Sequence, residues 1–254
     1  MTIFGVLCGL KDELVSFRMP LYAGFDIGIK NLAFCIIDSK EWRKYRAGES
    51  DNPGIKMWVN LNMVGDPETC VGIIKYGKKK GLCCGKQTKW VLDLEYYCGT
   101  HKPEYSTVYK SPKIKNLNMR LLKKKTFTEL DNIELFNRVA HIAIESQPRI
   151  NQQMKMFAAS IESYFIIRQN IDNPHSMLKA IRASPAKNKL SMYDGPKINT
   201  EHIKNPYNRR KYLAQKHTEY FLHRSPEVLD EHYYPSKKRD DLADAFLHCI
   251  MAIK

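Results

Sequence analysis

Four acidic side chains stand at positions where an acid is costly unless it has work to do. Asp26 lies inside the apolar run 25–29. A charge there is expensive to bury without compensation, whereas on the solvent face of an edge strand it would need none. Glu145 closes the apolar segment HIAIE and is followed by Ser-Gln-Pro-Arg, which breaks the chain direction. That sets it at a sheet rim, where sites are commonly built; a helix N-cap neighbour or a surface ion pair is the plainer alternative. Asp241 and Asp244 are three apart in KKRDDLADAFLHCIMAIK and share one face of a helix near its N-terminus. The helix dipole also favours acids there, but Leu242, Ala243, Ala245 and Phe246 are core-like. Asp240, beside Lys237, Lys238 and Arg239, is expected to be the solvated member of the run. Converging carboxylates repel one another unless cations join them, and oxygen-only ligands suit Mg²⁺ first and Mn²⁺ next. Two such ions roughly 4 Å apart activate a water and stabilise a leaving oxygen in phosphodiester hydrolysis.

A second set of ligand-type residues is softer. Cys70, Cys83, Cys84, Cys98 and His101 fall between residues 70 and 101, and Cys98-x-x-His101 has close-ligand spacing. Cys70, Cys84, Cys98 and His101 are the favoured structural Zn²⁺ ligands, with Cys83 as the alternative to Cys84 and unrelated thiols on a loop as the plainer reading. Lysines crowd the same stretch, Lys78, Lys79 and Lys80 and then Lys123, Lys124 and Lys125, with Tyr76, Trp90, Tyr96, Tyr97 and Tyr105 among them. Basic residues neutralise phosphates and aromatics stack on unpaired bases; a solvated lysine face is the alternative. A second basic group contains Lys187, Lys189, Lys197, Lys204, Arg209, Arg210 and Lys211. Lys187, after Ser184-Pro185, is the one expected near the metals, while Lys204, Arg209, Arg210 and Lys211 are expected to grip nucleic acid. His141 and His248 are read as core or supporting residues.

The elements that must position these groups follow from periodicity. Residues 21–38 read as two short strands joined by a turn at Gly28, residues 39–55 as polar and turn-rich, and residues 56–64 as a third strand. Residues 66–126 hold four cysteines and many lysines with little regular pattern, as an insertion would. An amphipathic helix is expected from Thr126, carrying Phe127, Leu130, Ile133, Phe136 and Val139, then a compact strand over 139–144 ending in Glu145. Helix 151–169, a strand over 177–183, a basic loop over 186–204, helix 207–222 and a last helix over 240–253 complete the chain. A meander followed by alternating strands and helices implies an α/β domain on a mixed sheet.

Composition narrows the partner. Forty-one Lys and Arg against 27 Asp and Glu give a net charge of +14 and a pI near 9.4, which points to a polyanion, nucleic acid before acidic membrane. No apolar run approaches the roughly 18–20 residues of a bilayer span. The first residues fit neither a secretory signal nor a transit peptide, so residues 1–20 are expected to be a short arm, with Met19 open as a second start, on an intracellular, soluble protein. Seven cysteines without a secretion signal imply reduced thiols.

With these residues in view, FDIGIKNLAFCIID, IAIESQP with NQQMKMFAASIESYF, IRASPAKNK and KKRDDLADAFLHC resemble, in that order, the RuvC-like Holliday junction resolvases, most closely those of poxviruses and other large DNA viruses. The resemblance spans residues 21–65 and 126–254 and excludes the insertion at 66–125. It implies an RNase H-like fold with a mixed five-stranded sheet flanked by helices, a homodimer, and Mg²⁺-dependent paired nicking of four-way DNA junctions. Carried onto this chain, it places catalytic, metal-holding carboxylates at Asp26, Glu145, Asp241 and Asp244. For a viral enzyme it implies work in the host-cell cytoplasm or virus factory, with the nucleus also open. Two other readings stay in play: a nuclease of the same fold acting on flaps or hybrids, and a zinc-stabilised junction-binding protein that does not cut.

Overall fold

Apolar residues run nearly unbroken along 32–37 and crowd 21–29, as in strands of a sheet covered on both faces. In the computed structural model, which describes residues 20–65, 68–110, 117–148, 150–186 and 188–254, β1 (Leu21–Ile27) pairs antiparallel with β2 (Asn31–Asp38), and β2 with β3 (Ile55–Asn62). Between β2 and β3 the chain forms α1 (Ser39–Ala47), where sequence reading expects turns. The Asp38 carboxylate caps the Lys40 and Glu41 amides, and Gly48 closes the other end at φ 81°. Of the expected arm over residues 1–20, only Pro20 lies within the described residues; its carbonyl accepts a hydrogen bond from the Ser39 hydroxyl.

The segment after β3 is not without regular structure. β4 (Trp90–Leu92), β5 (Glu95–Tyr97) and β6 (Thr107–Val108) make a small separate sheet in the order β5-β4-β6. α2 (Met119–Asp131) then begins seven residues before the expected start at Thr126, capped by Asn118, and sinks Leu122, Thr126 and Leu130 into the core. Residues 134–138 tighten into a 3₁₀ turn that buries Phe136, so the expected single helix is two pieces.

β7 (Val139–Glu145) lies parallel to β1 and α3 (Gln152–Phe165) follows. β8 (Ala180–Ser184) lies parallel to β7, α4 spans Pro206–Phe221, a short α5 covers Pro226–Val228, and α6 runs Arg239–Ile253. The result is a mixed five-stranded sheet, β3-β2-β1-β7-β8, with β1 in the centre. No helix among the described residues is long and apolar enough to cross a membrane.

The two sheet faces have different work. On one, Leu21, Ala23, Phe25, Leu32, Phe34, Ile142 and Ile144 pack against α2 and α3 in an aromatic-rich core. Phe157, Ile161 and Phe165 of α3 are spent here, so the apolar face of that helix is core, and what it leaves exposed is Met156 with Ile166, Ile167 and Ile171 beyond its end. On the other face, Ala33, Cys35, Ile37 and Trp58 pack against α6 and α4. Successive strand side chains point to opposite faces, so Gly24 and Asp26 of β1 fall on this second face. Gly24 is where α6 comes closest: a Cβ there would stand 2.2 Å from the Cys249 amide nitrogen and 2.4 Å from the Ala245 carbonyl oxygen.

Candidate active site

The close approach at Gly24 brings the first turns of α6 over the carboxyl ends of β1 and β7. One oxygen from each of Asp26, Glu145 and Asp244 lies within 4.8 Å of the others. Asp26 comes from the central strand, Glu145 from the last position of its parallel neighbour, and Asp244 from the helix above. Because β1 is flanked by β2 and β7, the edge-strand reading of Asp26 does not apply. Asp241, the fourth expected acid, lines the same cleft outside the tight trio; its Oδ2 accepts hydrogen bonds from the side-chain amides of Asn31 and Asn60, both at 3.2 Å. The cleft measures 960 Å³.

The expected lysine, Lys187, lies outside the described residues. Lys189, two positions on, is buried against the acids, with its Nζ 2.6 Å from Asp244 Oδ2 and 3.6 Å from Glu145 Oε1. Behind Glu145 stands His248 of α6, fully buried: Nε2 is 3.8 Å from Glu145 Oε1, and Nδ1 is 2.6 Å from the Ser184 hydroxyl of β8. Sequence reading placed His248 as a supporting residue but had no sign of its partner. Asn31, Asn60 and Ser184 carry no mark of a site in their own stretch of sequence. The available signal was the strand alternation, which puts each of them on the Asp26 face.

The acids differ in proton affinity for identifiable reasons. Burial, then the Glu145 and Asp244 charges, pushes the Asp26 carboxyl well above its ordinary value. Burial acts on Glu145 in the same direction, but its contacts with His248 and Asp26 and the Lys189 charge outweigh this and hold it at about 2. Asp244 is raised by burial against the opposing pull of Lys189, and Asp241 by burial and the Asp240 charge. Crowded carboxylates cannot all ionise unaided. Within the trio, burial and the neighbouring charges oppose ionisation of Asp26, while its contacts favour ionisation of Glu145. One Asp244 oxygen, Oδ1, is buried with no hydrogen-bond partner, and so is His248 Nε2. A carboxylate with one unpartnered oxygen, set close to two further carboxylates, offers the donor set of a hard divalent ion.

Asp240 is not the solvated residue that its basic neighbours suggest. It is half-buried and ion-paired with Lys211, which holds its carboxyl below the usual range against the effect of burial. The expected nucleic-acid contacts separate by position. Arg210 and Lys211 of α4 line the cleft together with Lys30 and Lys238. Arg209 is turned toward the Ile203 carbonyl, and Lys204 is exposed just before α4. Lys123 and Lys124 border a second concavity with Arg120 and Arg168, and Lys125 reaches the Asn62 carbonyl at 3.5 Å. Lys78, Lys79 and Lys80 are exposed at a turn between Ile73 and Cys83. The softer set also converges: Cys70, Cys84, Cys98 and His101 come together, and Cys83 is exposed and outside the group.

No family model matches the chain. It is 29% identical over 199 residues to an uncharacterized protein of Acanthamoeba polyphaga mimivirus, covering 67% of this chain and 46% of that protein, so it spans about half the length of the curated relative. A solved structure, the yeast mitochondrial Holliday junction resolvase Ydc2, aligns over 94% of this chain and 82% of its own at 16% identity and a TM-score of 0.43. Neither similarity by itself assigns an activity.

Proposed function

We propose that this chain is a divalent-metal-dependent endonuclease of RNase H-like architecture that cuts branched DNA, with the four-way junction as its substrate. The observation that carries the reading is the half-buried trio Asp26, Glu145 and Asp244, with an unpartnered Asp244 oxygen, in a cleft edged by Arg210, Lys211 and Lys238. A strand order with three antiparallel strands followed by two parallel ones supports the architecture, and the ordered motifs shared with RuvC-like resolvases support the substrate.

Mg²⁺ or Mn²⁺, two ions in this reading, would be held by Asp26, Glu145, Asp244 and Asp241, and supplies Lewis acidity toward the phosphate and a more acidic bound water. The protein's own part is placement. Asn31 and Asn60 fix the Asp241 carboxylate by its Oδ2. The Ser184–His248 pair packs behind Glu145 and limits its rotamers. Lys189 keeps Asp244 and Glu145 from repelling each other when no other cation is present. Arg210, Lys211 and Lys238 stand where a DNA backbone entering the cleft presents its phosphates. A junction is a two-fold object, so two copies related by a two-fold axis would set two such clefts against opposed strands.

The test is cleavage of a four-way junction, a flap, an RNA–DNA hybrid and a linear duplex in Mg²⁺ and in Mn²⁺, with Asp26→Asn as the control. Paired symmetric nicks on the junction, absent with Asp26→Asn, are expected. Preferential cutting of the hybrid or flap replaces the substrate assignment. Tight junction binding without cutting in either metal leaves a binding module.

A further inference from the structure

We propose that Cys70, Cys84, Cys98 and His101 hold a tetrahedral Zn²⁺ ion, with His101 bound through Nδ1, and that this ion is the core of the segment 68–110. The proposal is independent of the nuclease reading, because the segment contributes no residue to the carboxylate cleft.

Geometry is the first support. Zinc–sulfur bonds of about 2.3 Å and zinc–nitrogen bonds of about 2.0–2.1 Å impose, in a tetrahedron, S···S edges of about 3.8 Å and S···N edges of about 3.5 Å. The Cys84 and Cys98 sulfurs are 3.9 Å apart, and His101 Nδ1 is 3.4 Å from the Cys70 sulfur and 3.6 Å from that of Cys98. All four donor atoms lie within 4.8 Å of one another. The sulfurs are far beyond the roughly 2.05 Å of a disulfide. Cys83, which the sequence left as an alternative to Cys84, is exposed and directs its thiol to the Cys70 carbonyl.

The backbone is arranged around this point. Bridges Thr69↔Gln87 and Ile73↔Cys83 close a hairpin that supplies Cys70 and Cys84; the Cys84 amide donates to the Gly72 carbonyl and the Gly85 amide to the Cys70 carbonyl. Cys98 follows β5, and His101 lies one 3₁₀ turn later, its amide donating to the Cys98 carbonyl. The ion would thus tie hairpin to sheet. Gly72 makes room for the imidazole, since a Cβ there would stand 2.5–2.7 Å from His101 Cβ, Cγ and Nδ1.

Burial is the second, independent support. Between residues 68 and 110 the buried residues are Cys70, Thr88 and Cys98 alone. Ile73, Tyr76, Leu82, Leu94 and Tyr105 are all more than half exposed. A segment of this length with no apolar interior lacks the usual source of folding energy. Metal binding supplies it in small domains of this kind, where binding free energy is folding free energy.

Zinc would be measured on the full chain purified without chelator from zinc-supplemented medium. About one zinc per chain is expected, with near-complete loss for Cys84→Ser and for Cys98→Ser and full retention for Cys83→Ser. Because the carboxylate cleft can also take up divalent ions, the stripped protein would be refilled with Co²⁺. A thiolate-to-cobalt charge-transfer band with tetrahedral d–d absorption arises only from sulfur ligands, and it should persist in Asp26→Asn. Should a serine variant fail to fold, limited proteolysis of the wild type replaces it: stripping with a chelator is expected to open 68–110 to cleavage while the five-stranded domain stays intact. Three results would overturn the proposal: under about a tenth of a zinc per chain after refilling, no sulfur–cobalt band, or proteolysis of 68–110 unchanged by stripping. Loss in Cys83→Ser with retention in Cys84→Ser would overturn the ligand set.

Discussion

The Asp26 carboxyl sits on a central strand and meets solvent only through the cleft, and its neighbours Glu145 and Asp244 are themselves acids. Removing any one of the three should cost more in cleavage than in folding. Asp26→Asn, Glu145→Gln and Asp244→Asn are expected to lower the single-turnover rate on the order of 10³-fold with little loss of melting temperature. Asp240→Asn, which breaks the pair with Lys211 and removes a charge beside Asp241, should stay within about tenfold. Lys189→Met should reveal the opposite balance. Without its ammonium the trio has no counter-charge, so in chelator the melting temperature is expected to fall by roughly 6–12 °C, from about 3 kcal/mol at about 2–4 °C per kcal/mol, and Mg²⁺ should recover most of it. Equal losses with and without Mg²⁺ would contradict the role given to Lys189. Outside the cleft lining, His217 is buried with an unpartnered Nδ1, stacked on Tyr193 at 4.0 Å. Burial depresses it to about 4, against about 6.5 in an unfolded chain. Between those values the unfolded chain binds the extra proton, so this contribution to stability is complete above about pH 6.5 and is lost as pH falls toward 4. Urea midpoints for the wild type should therefore decline more steeply over that range than those for His217→Gln; parallel declines would remove His217 from the account.

At the scale of elements, two small features decide whether the site assembles. The missing side chain at Gly24 lets α6 lie against β1. Gly24→Ala must push the helix outward, and a cost of about 1–3 kcal/mol or more in urea unfolding is expected together with a cleavage defect larger than the folded fraction explains. The Asp38 cap holds α1, and Asp38→Ala should cost about 1 kcal/mol, seen as a lower urea midpoint at unchanged slope. These features also mark what the sequence could and could not disclose. β1, β2, β7 and α6 are legible because long apolar runs carry their periods, and with them Asp26, Glu145, Asp241 and Asp244. α1 is not, because only Trp42 and Tyr45 of its nine residues are large buried side chains, and its ends are set by Asp38 and Gly48. Lys189 is hidden for a different reason: nothing local marks it among the basic residues of its loop, and only the fold brings its ammonium to Asp244 and Glu145. Asp240 misleads because its partner Lys211 is 29 residues away in the chain.

For the whole molecule, the charge of +14 and a cleft edged by cations lead to salt-sensitive binding. Six or more phosphate contacts would weaken junction affinity by about 10³ between 50 and 200 mM salt, and a flat response in a fluorescence titration would argue against an electrostatic grip. If two copies act on one junction, mixing wild type with excess Asp26→Asn should give junctions nicked on one strand and unresolved, where wild type alone gives paired nicks; undiminished paired cutting would mean that a single copy suffices. The segment 68–110 enters this picture through its roots. Met63, just before it, and Leu122, just after it, are buried in one hydrophobic cluster, and the Lys125 ammonium meets the Asn62 carbonyl. The chain therefore departs from and rejoins the sheet domain at neighbouring points, as a handle joins a cup. Loop closure grows only slowly with length, so what hangs between those two anchors can be lengthened, shortened or exchanged at little cost to the scaffold. A different segment grafted between those anchors is expected to leave the carboxylate cleft assembled.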